Sequence, residues 1–177
     1  MALVKYDLDT VHSHIDFSVR HLVVSKVKGR FKTWTGSLEL DEENLTNSKV
    51  SVEIDVASVD TNEPQRDGHL RTGDFFEAEK HPKITFKSTS VAKKGESELA
   101  VTGDLTIKGH THPVVLDVEF GGTVKDPWGK RRAGFTATTT IERKDFGLTF
   151  NQTLDHGGVA IGEKVTISLD IEATAAA

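Results

Sequence analysis

The chain has 177 residues, the length of one domain that can bury a sizeable core. It contains 22 Lys and Arg and 27 Asp and Glu, so its net charge is −5, and this charge is spread along the sequence. The acidic balance argues against a nucleic-acid-binding surface and against docking on an anionic membrane through a polybasic patch. The absence of cysteine excludes disulfides, thiol nucleophiles and cysteine-ligated zinc.

The N-terminal stretch has no apolar segment of the kind found in signal peptides, and Asp7 and Asp9 come early in it. We therefore expect a cytoplasmic location, or a periplasmic one if a leader has been removed. No apolar run approaches the roughly 20 residues that a membrane-spanning helix needs, so we do not expect a membrane-spanning protein.

Alternation of apolar and polar residues, the pattern of a strand with one buried face, recurs along the chain. The 20 Thr, 18 Val and 8 Ile also favour strands, because β-branched side chains fit a pleated surface. In chain order, the alternating runs are residues 15–19, 31–40, 50–56, 84–91, 99–107, 114–120, 135–141 and 165–171. These runs predict an all-β fold of about eight antiparallel strands. Such a sheet buries its apolar face on another sheet, on a helix, or on itself by closing into a barrel.

Two segments interrupt the strand pattern. Residues 62–71 predict a short helix, with Asn62 as its N-cap and Pro64 in its first turn. Residues 20–26 are a candidate for a second helical turn. We find no internal repeat and no linker, so the prediction is a single domain over residues 1–177.

Histidine is the residue type that most suggests chemistry, with eight in the chain. His12 and His14 are two residues apart, as are His110 and His112, which places each pair on one side of a strand. Paired imidazoles suit zinc or copper, but the same pairs also fit a solvated strand face, and no third ligand can be assigned. We keep a metal-dependent enzyme as the alternative function and assign no metal ligand and no catalytic residue.

Aromatic and aliphatic residues give a second set of candidates. In an eight-stranded barrel the core and a ligand pocket are the same surface, and the interior is either filled by side chains or holds one small ligand. Some candidate ligand-binding residues lie on the apolar faces of the predicted strands, others belong to the predicted helix region, which we interpret as a lid, and two follow Lys144. The full set is Phe17, Val19, Phe31, Leu70, Phe75, Phe76, Phe86, Phe135, Phe146 and Phe150.

Nine short motifs follow one another in a distinctive order. They are Asp9-Thr-Val-His-Ser-His-Ile-Asp-Phe-Ser-Val-Arg-His21, Val27-x-Gly29-x-Phe31, Val56-Ala-Ser-Val-Asp-Thr61, Arg66-Asp-Gly-His-Leu-Arg71, Asp74-Phe-Phe76, His81-Pro-x-Ile84-x-Phe86-x-Ser88, Gly103-Asp-Leu-Thr-Ile-Lys-Gly109, Ala133-Gly-Phe135 and Ile141-x-Arg143-x-Asp145-Phe-Gly147. In this order the motifs resemble the YceI-like family of polyisoprenoid-binding, lipocalin-like proteins, over about residues 3 to 173.

The resemblance implies an extended eight-stranded antiparallel β-barrel with one or two short helices over it. It implies a binding or carrier protein, not an enzyme, that holds a polyisoprenoid or another long-chain amphiphile such as an isoprenoid quinone, with no further cofactor. Transport and stress response are the expected settings, and a homodimer stays open as an alternative to a monomer. His21, Arg66, Asp67, His69 and Asp145 match motif positions, and we interpret them as architectural or as lining the barrel mouth.

Overall fold

The computed structural model describes residues 3–22, 24–151 and 160–176. Its strands are β1 (Val4–Leu8), β2 (His14–His21), β3 (Ser25–Phe31), β4 (Trp34–Leu40), β5 (Lys49–Asp55), β6 (Val59–Asp60), β7 (Lys83–Lys93), β8 (Glu98–Ile107), β9 (His110–Lys125), β10 (Arg131–Glu142) and β11 (Ile161–Ala175). The α-helix in these ranges is α1 (Pro64–Leu70), and short 3-10 turns cover Leu45–Asn47, Val56–Ser58 and Arg143–Phe146. No helix in the described ranges is both long and apolar enough to cross a membrane.

The eleven strands form a closed barrel with eight strands around its circumference. The count is eight because three of these eight strands are interrupted, and each consists of two shorter segments that lie end to end. β1 and β2 lie end to end along β11. β3 and β4 lie end to end opposite β2 and β1, and β5 and β6 do the same opposite β4 and β3. β7 to β11 complete the ring, and every neighbouring pair is antiparallel. The predicted eight-stranded antiparallel barrel is thereby confirmed.

The direction of the strands gives the barrel two different ends. The β2–β3 connection, α1, the β8–β9 turn and the 3-10 turn after β10 lie at one end, which we call the helix end. The β4–β5, β7–β8 and β9–β10 connections lie at the opposite end, which we call the turn end.

The predicted second helical turn at residues 20–26 is wrong, because β2 continues to His21 and β3 begins at Ser25. Leu22 has a left-handed backbone, with a φ of 53°, that lets the chain reverse there as a tight hairpin. The helix prediction for residues 62–71 is confirmed as α1, but Glu63, not Asn62, caps it: the Glu63 side chain accepts the backbone N–H groups of Gln65 and Arg66.

Apolar side chains at alternate strand positions face the barrel interior, as the sequence pattern predicts. In β8, Leu99, Val101, Leu105 and Ile107 are all buried. Gly103 continues this inner face between them, beneath the ring of Phe86 on β7: a Cβ added at Gly103 would lie 2.4 Å from Phe86 Cζ and 2.7 Å from the Lys87 carbonyl oxygen. The ring therefore occupies the space that any larger residue at position 103 would need.

We expect Gly103→Val to destabilise the fold by about 1–3 kcal/mol, the usual cost of overpacking a well-packed site. The valine must displace both the Phe86 ring and the Lys87 backbone. A urea unfolding curve measures the change, and Gly95→Val in the exposed β7–β8 turn is the matched control, because a Cβ there meets nothing closer than 3.7 Å. Equal unfolding midpoints for the Gly103 variant and the wild type would contradict this packing.

Candidate functional site

The barrel is hollow, with an internal cavity of about 520 Å³. This volume lies within the range of about 300–1,000 Å³ that is typical of small-molecule sites. Of the 43 residues that line the cavity, all but nine are apolar. The lining comes from the inner faces of strands around the whole ring, so the cavity follows the barrel interior. An interior of this kind accepts an apolar chain and offers few hydrogen bonds along its length.

The structure brings nine of the ten candidate ligand-binding residues to this cavity. The residues that line it are Phe17, Val19, Phe31, Leu70, Phe75, Phe76, Phe86, Phe135 and Phe150. Phe146 does not line it: only 1% of Phe146 is exposed, and its ring packs edge-on against the His112 imidazole, with centroids 5.3 Å apart. Phe146 thus packs in the hydrophobic core beside the cavity and is not part of the cavity wall.

An aromatic cluster lines the helix end of the cavity. The rings of Phe75 and Phe150 pack edge-on with centroids 5.2 Å apart, and the His69 imidazole contacts both rings at 5.0 and 5.1 Å. His69 Nε2 is also 2.8 Å from Asp74 Oδ2, which ties α1 to the segment that follows it. These contacts place α1 and Phe75 where the sequence predicts a lid.

Hydrogen bonds to Thr61 hold α1 in position. Asp67 Oδ1 accepts both the backbone N–H and the hydroxyl of the buried Thr61, at 2.8 and 2.5 Å. Arg66 Nε donates to the Thr61 hydroxyl oxygen at 2.8 Å, and Arg66 Nη2 donates to the Thr61 carbonyl oxygen at 2.8 Å. Asp67 is therefore architectural, whereas Arg66 also lines the cavity.

Most of the polar lining residues are at the helix end. They are Arg20, His21, Arg66, His69 and Arg143. Ser48 and Lys49 line the cavity near the turn end. Asp145, also a motif position, is exposed and is not part of the lining. The cavity therefore has an apolar middle and polar groups toward both ends. The arginine and histidine side chains are concentrated at the helix end.

Arg143 is a buried charged residue of the cavity wall that was not among the sequence-based candidates. Only 6% of it is exposed. Arg143 Nε donates to the Gly162 carbonyl oxygen at 2.8 Å, and Nη1 donates to the carbonyl oxygens of Leu148 at 2.6 Å and Phe150 at 3.3 Å. Burial lowers the pKa of the Arg143 guanidinium, but arginine remains charged at neutral pH. Nη2 makes no hydrogen bond to the described residues, so a donor remains at the edge of the cavity.

The paired histidines do not converge on a shared point in the described part of the chain. His12 precedes β2, whereas His14 begins it. On β9, the His112 ring packs on Phe146, and His110 lies against Gly147. His110 and His112 thus pack against neighbouring residues, whereas His12 lies 2.7 Å from Asp9. Within the described ranges, the group with metal-like spacing is Asp9, His12 and Glu172.

An arginine already occupies the centre of this acidic group. Arg132 Nη1 lies 3.2 Å from Asp9 Oδ2 and 2.9 Å from Glu172 Oε2, and His12 Nδ1 lies 2.7 Å from the same Asp9 oxygen. The arrangement is an ion-pair network that joins the chain before β2 to β10 and β11. The hydrogen bond to Asp9 raises the pKa of His12, and the bond to His12 lowers the pKa of Asp9.

We expect the His12 imidazole to titrate above its ordinary pKa of about 6.5. A raised pKa in the folded state means that protonated His12 stabilises the fold below about pH 6.5, and that this contribution is lost as the pH rises through the folded-state pKa. NMR titration of the histidine ring protons measures the shift. Asp9→Asn should return the His12 pKa toward its ordinary value, and an unchanged His12 pKa in that variant would contradict the assignment.

The fold and site together define a class: a closed antiparallel barrel around an apolar cavity with polar groups at its ends. The YceI-like domain matches residues 6–173 of this chain. A UPF0312 protein of Vibrio parahaemolyticus is 48% identical over 145 residues, which cover 81% of this chain and 77% of that protein.

Two solved structures resemble the barrel. The crystal structure of BcnA from Burkholderia cenocepacia has a TM-score of 0.83 at 23% identity and covers 94% of this chain and 99% of its own. A polyisoprenoid binding domain from Saccharophagus degradans has a TM-score of 0.70 at 17% identity and covers 98% of this chain and 99% of its own. At these identities both structures support the fold. The chain belongs to the YceI-like family.

Proposed function

We propose that the protein binds a long-chain amphiphile, a polyisoprenoid such as an isoprenoid quinone or a prenol phosphate, with its tail inside the barrel. The observation that carries this proposal is the continuous apolar lining of the 520 Å³ cavity. Burial of apolar surface is favourable by roughly 25 cal/mol per Å², so a chain of several isoprene units has a large driving force to leave water.

Hydrophobicity alone does not set the preference, because a bilayer is an equally apolar environment for the tail. A cavity of fixed cross-section favours a chain whose shape matches it, and aromatic rings such as Phe17 and Phe86 provide broad contact surfaces along the wall. Membership of the YceI-like family supports the proposal, as does the likeness in fold to the domain from Saccharophagus degradans.

The headgroup has suitable donors at the helix end. Arg143 Nη2 and Arg66 Nη1 have no hydrogen-bond partner among the described residues, and both side chains line the cavity. A guanidinium can donate to a quinone carbonyl oxygen, and it donates more strongly to an ionised phosphate because both partners are then charged. We therefore orient the amphiphile with its oxygen-bearing head near Arg143 and its tail toward the turn end.

Extraction of the purified native protein with organic solvent, followed by mass spectrometry of the extract, tests the proposal. We expect one class of long-chain amphiphile at close to one molecule per chain. The protein stripped of this molecule should then take up added ubiquinone in a saturable manner. An extract without such a molecule, together with no saturable uptake of ubiquinone, would refute the proposed function.

A further inference from the structure

The β2–β3 hairpin carries an exposed apolar tip at the helix end. Val24 is 85% exposed and Leu22 is 42% exposed. Leu22 also has a left-handed backbone, with a φ of 53°, a conformation that glycine or asparagine adopts at less cost. A large apolar side chain is thus present where neither burial nor backbone geometry requires one. We call Leu22 and Val24 the hairpin tip.

Basic residues surround the hairpin tip. Residues 18–33 contain five Lys and Arg and no Asp or Glu, although the whole chain has a net charge of −5. Arg30 and Lys32 are partly neutralised, because Arg30 Nε lies 3.1 Å from Asp16 Oδ1 and Lys32 Nζ lies 3.7 Å from Asp60 Oδ2.

Two further lysines next to the tip are exposed and make no ion pair with the described residues: Lys26 and Lys28 on β3. Both lysines add positive charge beside the tip, in a segment that holds no acidic residue. The positive charge is therefore local to the hairpin.

The hairpin also forms part of the cavity wall. His21 and Val27, on its two strands, line the cavity. The Leu22 N–H donates to the carbonyl oxygen of Ala160, another lining residue, at 2.7 Å. A surface that contacts the tip therefore lies beside the helix end of the cavity, where Arg66 and Arg143 are found.

We infer that the hairpin tip docks on an anionic lipid bilayer. Leu22 and Val24 enter the interfacial region, and Lys26 and Lys28 face the lipid phosphates. Apolar insertion beside a basic cluster is the chemistry by which peripheral proteins bind anionic membranes. The acidic balance of the whole chain suggested the opposite, but a charge total does not describe a cluster confined to one hairpin. Docking is independent of which molecule fills the cavity.

Another exposed apolar patch lies at the turn end, where Trp128 and Val124 are 81% and 67% exposed. The arginines near this patch are already paired: Arg131 with Glu42 and Arg132 with Asp126, each at 2.8 Å. Lys125 and Lys130 are also exposed beside this patch. However, residues 119–132 hold four Lys and Arg against two Asp and Glu, whereas residues 18–33 hold five Lys and Arg and no acidic residue. The net charge that would attract an anionic bilayer is therefore smaller at the turn end, and Val124 serves as a matched control.

Co-sedimentation with vesicles tests the inference. We expect the wild-type protein to bind vesicles of equal phosphatidylglycerol and phosphatidylcholine and to bind pure phosphatidylcholine far more weakly. The double variant Lys26→Gln with Lys28→Gln should weaken binding to the anionic vesicles by about 30-fold, since each basic residue near such a surface contributes roughly a factor of five. The matched double variant Lys93→Gln with Lys130→Gln, at the turn end, should bind like the wild type.

Val24→Asp should abolish binding to the anionic vesicles, whereas Val124→Asp should leave it unchanged. Both positions are exposed, so circular dichroism should show the same thermal transition for each variant as for the wild type. All variants should still take up ubiquinone from detergent micelles, which separates loss of docking from loss of ligand binding. Equal binding of Val24→Asp and the wild type, loss of binding in Val124→Asp, or no preference for anionic vesicles would each overturn the inference.

Discussion

Arg143→Leu is expected to destabilise the fold by about 2–5 kcal/mol, because each buried carbonyl that loses its donor costs about 1–3 kcal/mol. The Arg143 guanidinium donates to three carbonyl oxygens, those of Leu148, Phe150 and Gly162. It thus fixes the chain after β10 to the start of β11. Leucine fills part of the volume but provides no donor to any of the three carbonyls.

A urea unfolding series measures this effect. Arg143→Lys should recover only part of the loss, because an ammonium group lacks the planar fork that reaches several acceptors at once. Lys144→Leu is the matched control, since Lys144 is the exposed neighbour of Arg143. The role assigned to Arg143 would be wrong if Arg143→Leu and Lys144→Leu unfolded at the same urea concentration.

Ala137→Phe is expected to abolish uptake of ubiquinone while the protein keeps its fold. Ala137 lies on β10, faces the interior and lines the cavity. A phenylalanine ring there enters empty space, so the overpacking cost of about 1–3 kcal/mol that applies to filled cores should be largely avoided. The ring blocks the path that the tail would take, and therefore only ligand binding is lost.

Titration with ubiquinone and a thermal unfolding curve together check this prediction. Thr138→Phe is the control, because Thr138 is the next residue on β10 and faces outward. It should bind ubiquinone like the wild type. Unaltered ubiquinone affinity in Ala137→Phe would mean that the ligand site lies outside the cavity.

Strand alternation predicted the barrel well, because a period of two reflects which side chains face the interior. The β8 pattern of Leu99, Val101, Leu105 and Ile107 is visible in the sequence and buried in the structure. β1 was not predicted, since only Tyr6 is buried in its five residues and no alternation is visible. Pairing with β4 and β11 makes it a strand, and such pairing leaves no local signal.

The hairpin at residues 20–26 shows the same limit. Its local sequence fits a helical turn, but β2 pairs with both β3 and β11, and the hydrogen bonds of those strand pairs decide the conformation.

For the functional site, apolar alternation identified most of the candidate residues that line the cavity. Phe146 and Phe150 look alike in sequence, yet the 3-10 turn Arg143–Phe146 places only Phe150 on the cavity. Arg143 was not among the sequence-based candidates because its partners are backbone carbonyls, which no sequence pattern marks.

A crystal structure of the protein with bound ubiquinone tests the central claim most directly. We expect continuous ligand density inside the barrel, with the quinone ring near Arg143 and the isoprenoid tail in contact with Phe86 on the way to the turn end. Ligand found only on the outer surface, or a barrel whose interior side chains close the cavity from end to end, would contradict the account.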